Sequence, residues 1–231
     1  MRQVLLRLLL PLVALYGLMV MLGHVVTASW WPAGGEDQVN VSLEDARSGT
    51  LTAASLVFST IADTWSVIAV CAFAIVILLV THRPWREPLF LACAVAAQAL
   101  IFLLTTLVID RERPAVEHMD VSPPTSSFPS GHTSAATALY CGLAVLFALR
   151  STSGRWEAVV WTVFVLIPVG VALTRLYRGM HHPSDVLGSF LNAGLCLTIM
   201  YHGVLRWRGA PPPKPTEERR RMSVARSRAS S

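Results

Sequence analysis

Six apolar stretches, most of them near the length a helix needs to cross a bilayer, constrain this chain more than any other feature. They run from about Leu8 to Val26, Trp65 to Val80, Pro88 to Ile109, His132 to Leu149, Ala158 to Leu173 and Val186 to Leu205. A spanning helix takes about 20 residues to cover a hydrocarbon layer about 30 Å thick. Inside lipid no water pairs a backbone N–H or C=O, so each stretch is expected to be helical. The second and fifth are short at their charged limits and are expected to recruit flanking residues. Composition agrees, with 53% of the 231 residues hydrophobic and 14% charged, where a soluble domain carries about a quarter charged. The expected fold class is all-α, a polytopic membrane helix bundle with six transmembrane helices. Residues 1–208 form that single domain, and residues 209–231 form a basic tail without apolar periodicity, expected to be disordered. Arg2 and Arg7 precede the first stretch, but it is long for a signal core and lacks a cleavage site, so it is read as a retained helix.

Charge orients the bundle. With the N- and C-termini cytoplasmic, 14 of the 19 basic residues fall inside, and only Arg47, Arg111, Arg113, Arg175 and Arg178 fall outside. The net charge of +5 is then a topological anchor that meets membrane lipids, and no nucleic-acid partner is expected. Cys71, Cys93, Cys141 and Cys196 all lie in apolar stretches and read as buried thiols, with neither metal-site nor disulfide-framework spacing. Trp30, Trp31, Trp65, Trp85, Trp156 and Trp207 fall near the expected interfaces, where they anchor at headgroup level. The outer loop over 28–64 is acidic. Its segment SLEDARSGTLTAASLVFSTIADT is expected to form an interfacial helix with Leu43, Leu51, Leu56 and Val57 on its apolar face. The sequon at Asn40 matters only in a glycosylating pathway.

Two outer junctions concentrate the remaining polar chemistry: DRERPAVEHMDVSPPTSSFPSGH (110–132) and TRLYRGMHHPSD (174–185). Pro129 gives a rigid entry to the fourth helix, and Gly131 allows close backbone approach. The free amides of that helix start, the Ser130 hydroxyl and the His132 imidazole together suit an anion with an acid–base group beside it. In the second junction His181 precedes Asp185 by four residues, a spacing that lets one ring N–H meet a carboxylate and leaves the other nitrogen for substrate. Asp185 also reads as a helix-start carboxylate and His181 as an interfacial polar residue, and the spacing alone fits both. Glu117, His118, Asp120 and His182 lie nearby: a role in shaping a headgroup pocket or tuning a histidine pKa and plain outer-loop solvation explain each equally well, and none is read as catalytic.

Together these junctions resemble the type 2 phosphatidic acid phosphatase superfamily, whose soluble relatives include vanadium haloperoxidases. The family's three motifs correspond to TLVIDRERP (106–114), PSGH (129–132) and TRLYRGMHHPSD (174–185), across roughly residues 100–195. The resemblance implies that His181 is the nucleophile, Asp185 its partner, and His132 the group that protonates the leaving oxygen and then activates water. It implies that Arg113, Ser130, Gly131 and Arg175 bind phosphate. The family's motif lysine falls on Thr106, and Arg111 is the candidate auxiliary cation in its place. No metal or cofactor is implied. The expected activity is dephosphorylation of a lipid phosphate or polyprenyl diphosphate, through a phosphohistidine, at the outer or periplasmic face of the cytoplasmic membrane. A phosphatase of soluble esters and a catalytically silent lipid-binding protein are the alternatives. A homo-oligomer is compatible with the sequence.

Overall fold

The structure, a computed structural model, describes residues 5–206 apart from 122 and 123. The basic tail, Arg2 and Trp207 lie outside the described residues. Eight helices make up the described residues, and five of them meet the length and apolarity of single spans: α1 (Leu6–Val26), α5 (Arg86–Val108), α6 (Gly131–Ala148), α7 (Gly154–Tyr177) and α8 (Pro183–Leu205). A sixth stretch reaches that length and apolarity only as a bent pair, α3 (Gly49–Ile61) and α4 (Thr64–Val80), which meet at 53°. The bend sits where Asp63 caps α4, its carboxylate accepting the Trp65 N–H at 3.1 Å. An N-cap residue is extended rather than helical, so the chain turns there before the apolar run resumes. The fifth stretch does recruit flanking residues, reaching 24 residues in α7.

The outer loop differs from the single interfacial helix expected of it. It folds as α2 (Ala33–Asp45) and α3, divided at Ala46–Ser48. Ser48 is extended, with φ −145° and ψ 159°, and its hydroxyl accepts the Leu51 N–H, so α3 starts afresh from its own cap. Leu51, Leu56 and Val57 face outward, while Leu43 packs inward against Ala172, Leu176 and Val186.

One core joins α5, α6 and α7 through Phe90, Leu91, Leu139 and Val171, and a second joins α1, α5 and α8 through Met19, Ile101 and Cys196. Helices in lipid gain little from apolar burial, so close contact over small residues carries the packing. At Gly170 a Cβ would stand 2.4 Å from the Phe58 ring, and at Gly188 it would stand 2.6 Å from the Phe128 ring. The outward faces remain apolar, as at Phe73, Leu107 and Leu187. The alternation of spans brings the C-terminal ends of α1, α5 and α7 together with the N-terminal ends of α4, α6 and α8. Helices α2 and α3 close over that end.

Candidate active site

Helix α7 stops because Gly179 turns left-handed, at φ 71°, a conformation that glycine adopts without strain. Its N–H donates to the Leu176 carbonyl and the Met180 N–H to that of Arg175, both at 3.0 Å, which closes the helix end in a Schellman motif. Two residues later His182 starts α8, with Pro183 in the first turn and Asp185 three residues on. The Asp185 carboxylate reaches back to accept the His182 N–H at 2.7 Å. Between these two helix ends His181 has little freedom. Asn40 of α2 holds the same turn from outside, its Nδ2 donating to the carbonyls of Leu176 and His181 at 3.2 and 3.0 Å. That side chain is only 1% exposed, so the sequon asparagine is a buried clamp on the folded chain.

His181 does not make the hydrogen bond to Asp185 that its spacing suggests. Its Nδ1 lies 2.7 Å from the Ser127 carbonyl and 3.7 Å from Asp185 Oδ2. A carbonyl only accepts, so Nδ1 carries the proton and Nε2 keeps the lone pair. Asp185 acts on the ring through its charge. Burial pushes the His181 pKa below the ordinary histidine value; the Asp185 carboxylate opposes this, and Arg175 and Arg113 reinforce it.

His181, His132, Gly131, Arg113 and Arg175 line one cavity of about 750 Å³. Its floor descends between the spans along Gln98, Phe102 and Leu103 of α5 and Ala135 of α6. The Phe102 ring packs close against Gly131; a Cβ there would meet it at 2.9 Å. Arg113 donates one Nη to the Met180 carbonyl at 2.6 Å, and its Nε is buried without a partner. Burial lowers its pKa, partly offset by Asp185, yet a guanidinium keeps its charge.

Ser130 and Arg111 depart from their expected roles. Ser130 is fully buried and stands outside the cavity lining: its hydroxyl caps α6 through the Thr133 N–H, and its own N–H donates to the Asp185 carbonyl at 3.3 Å. The hydroxyl is occupied within α6, and the N–H joins the start of that helix to α8. Arg111 does not stand in for the missing lysine. It is buried behind Asp185, bonded to that carboxylate, to Ser184 Oγ at 2.7 Å and to Glu36 at 2.6 Å. Thr106 bonds back to the Leu103 carbonyl at 2.8 Å on the side of α5.

Several residues of the site had no assigned role in the sequence, Asp120 being left open between the site and loop solvation. Asp120, on the loop before α6, lines the cavity, accepts from Arg175 at 2.9 Å and binds one edge of the Arg178 guanidinium side-on, through Nη2 at 2.5 Å and Nε at 2.9 Å. Burial opposes its ionisation, but the Arg178 hydrogen bonds and the charges of Arg175 and Arg178 outweigh that and hold it below the usual carboxylate range. Ser59 and Ser55 of α3 support the two arginines at 2.7 and 2.9 Å. The i, i+3 spacing of Arg175 and Arg178 was a usable signal, since it sets both on one helix face. Ser127 carries no comparable signal because it acts through its backbone. His182 is a cap beside Asp185, and the His118 ring meets the Pro114 carbonyl at 3.0 Å outside the cavity lining.

The geometry is that of two histidines and two arginines facing one cavity at a helix-end cluster, and the sequence across it, residues 87–208, matches the PAP2 superfamily. The chain belongs to the PAP2 superfamily. Among PAP2 structures it is similar to a transmembrane phosphatidylglycerolphosphate phosphatase of Bacillus subtilis, with a TM-score of 0.75 at 18% identity over 87% of this chain and 98% of that one. It is also similar to LpxE of Aquifex aeolicus, with a TM-score of 0.55 at 20% identity over 74% of this chain and 94% of that one. These likenesses establish a shared fold. In sequence it is 29% identical to undecaprenyl-diphosphatase BcrC of Bacillus subtilis over 54% of this chain and 64% of that protein. It is 37% identical to sphingosine-1-phosphate phosphatase 1 of Rattus norvegicus over 32% of this chain, spanning 17% of the length of that relative.

Proposed function

We propose that this PAP2 protein is a membrane-embedded phosphatase that hydrolyses a lipid phosphate or polyprenyl diphosphate through a phosphohistidine on His181. The observation that carries the reading is the tethered ring: Nδ1–H is held by the Ser127 carbonyl, so the Nε2 lone pair is free beside Arg113, Arg175 and His132. Phosphoryl transfer depends chiefly on placing the phosphorus in line and stabilising its equatorial oxygens. Arg113, Arg175 and the Gly131 amide are the groups for those oxygens. Nε2 attacks phosphorus as the ester P–O bond breaks, and His132 gives its proton to the departing oxygen. Water then attacks the phosphohistidine with His132 taking a proton; the P–N bond breaks, and His181 and inorganic phosphate are restored.

A lipid substrate is favoured by the cavity floor. Phe102, Leu103 and Ala135 belong to spanning helices, so a phosphate held at the arginines has its tail directed into the hydrocarbon layer. An outer or periplasmic site is supported by Arg83, Arg86, Arg150, Arg155 and Arg206, which cluster at or beyond the other ends of the spans, where the positive-inside rule favours the cytoplasm. The test is phosphate release by the full chain in detergent from phosphatidic acid, phosphatidylglycerol phosphate, undecaprenyl diphosphate and a soluble sugar phosphate. Turnover of one of the lipids that His181→Ala abolishes is expected. Turnover of the sugar phosphate alone overturns the lipid assignment, turnover surviving in His181→Ala overturns the mechanism, and no turnover in wild type favours a silent lipid-binding relative.

A further inference from the structure

Behind the catalytic turn lies a buried chain of charges. Arg111 stands between two carboxylates, its Nη1 on Asp185 Oδ1 and its Nη2 on Glu36 Oε2 at 2.6 Å. Glu36, in the first turn of α2, is not a bystander. Its Oε2 also accepts Trp31 Nε1 at 3.0 Å and Ser184 Oγ at 3.0 Å, and its Oε1 accepts the Ser184 N–H at 2.8 Å. The side chains of Arg111, Glu36 and Asp185 are 6%, 12% and 0% exposed. Burying three ionised groups is costly unless each is paired and bonded, and here every carboxylate oxygen has a donor. Glu36 precedes the segment that matches the PAP2 superfamily, so this half of the couple comes from the chain's own amino-terminal portion.

Charge arithmetic gives the arrangement a purpose. An arginine bonded to Asp185 alone would cancel the negative charge that His181 senses at 3.7 Å. Glu36 shares that arginine, so the three groups together carry one net negative charge. We propose that Arg111 and Glu36 are a positioning couple for His181: Arg111 fixes the Asp185 carboxylate in place, and Glu36 balances Arg111 so that Asp185 still presents its charge to the histidine. This rests on the reading of His181 as the nucleophile. The couple lies outside the cavity lining. The other charged or titratable groups facing His181 are Arg113 from the α5–α6 loop, Arg175 from α7, His132 from α6 and His182 beside it. Asp63 and Asp120 line the same cavity.

The couple makes a prediction that simple structural support does not. Replacing Glu36 by Gln leaves Arg111 uncompensated, makes the potential at His181 more positive and eases loss of its proton. Replacing Arg111 by Gln does the reverse. The acid limb of kcat/KM, which reports the free enzyme, is therefore expected to move to lower pH in Glu36→Gln and to higher pH in Arg111→Gln. Both variants should lose roughly 10- to 100-fold in kcat, the scale on which a small misplacement of a reacting group is felt, with KM little changed. Arg111→Lys should recover only part of the loss, because an ammonium does not span two carboxylates as a planar fork does. The same shifts are to be read without turnover, by titrating the ring resonances of histidine-labelled full-length protein in detergent, with His181→Ala assigning the signal. Opposite shifts of that signal support the couple even if no substrate is found, which separates this inference from the proposed activity. Shifts in the same direction, or none in either variant, overturn it. Should Arg111→Gln not fold, an unmoved His181 titration in Glu36→Gln overturns it alone.

Discussion

His181 and His132 face one cavity with different surroundings, and that difference sets their tasks. The His181 ring is tied through Nδ1 to a carbonyl and its pKa is held down chiefly by burial, so protonation removes the nucleophile only in more acidic solution. The acid limb of kcat/KM is thus expected below the ordinary histidine value of about 6.5, and a pH series in detergent checks it. His132 protonates the leaving oxygen in the proposed reaction, so its loss should depend on the substrate. His132→Ala is expected to cost about 10²- to 10⁴-fold with an alkyl phosphate and far less with nitrophenyl phosphate, whose oxygen leaves unaided. Equal losses on both would remove His132 from that role. Asp120 belongs to this scale as well. It holds Arg175 and Arg178 together, and Asp120→Ala leaves two neighbouring cations without their shared carboxylate. A loss of about 3 kcal/mol in stability is expected, read from denaturation in detergent.

At the scale of elements, the catalytic turn is a join between two helix ends. Gly179 closes α7 in a left-handed conformation, and a Cβ there would stand 2.7 Å from the Val116 side chain and 2.9 Å from the Glu117 carbonyl. Gly179→Ala should therefore cost about 1–3 kcal/mol in backbone strain and reduce kcat by moving His181, two residues on. Wild-type turnover in that variant would show that the turn tolerates displacement. Most of the elements were legible in the sequence: five of the six apolar stretches reappear as helices long enough to span, the second reappears as α4 of the bent pair, and the Pro-Ser-Gly-His junction does open α6. The outer loop was not, because its apolar residues are sparse enough that the Ser48 and Asp63 caps, rather than periodicity, decide where helices begin. The bend between α3 and α4 puts Ser59, Thr60, Asp63 and Thr64 into the cavity wall, a contribution that no motif announced.

For the whole molecule, alternating spans deliver the three motifs to one end and leave the opposite end rich in arginine. A thiol reagent that does not cross membranes is expected to label Val121→Cys, beside the site, from outside intact cells. It should label Thr152→Cys, in the α6–α7 loop, only after permeabilisation. Val121 is 96% exposed, so access does not limit the first reaction. The reverse pattern would invert the orientation. Asn40 is expected to remain unglycosylated in a glycosylating membrane preparation once the chain has folded, because its Nδ2 is occupied and buried.

Apolar length, arginine asymmetry and motif spacing by themselves determined that this chain is a PAP2 helix bundle with His132, His181, Arg113 and Arg175 gathered at one end. Those features depend on local sequence, since a run of about 20 apolar residues has one stable state in lipid. Which group each polar side chain meets was decided only by the tertiary structure. Arg111 and Thr106 are five residues apart, yet one is buried against Asp185 and the other bonds its own helix. Ser127 meets His181 through a carbonyl that every residue type possesses. A hydrogen bond is fixed by distances between segments far apart in the chain, and spacing along one segment does not contain those distances.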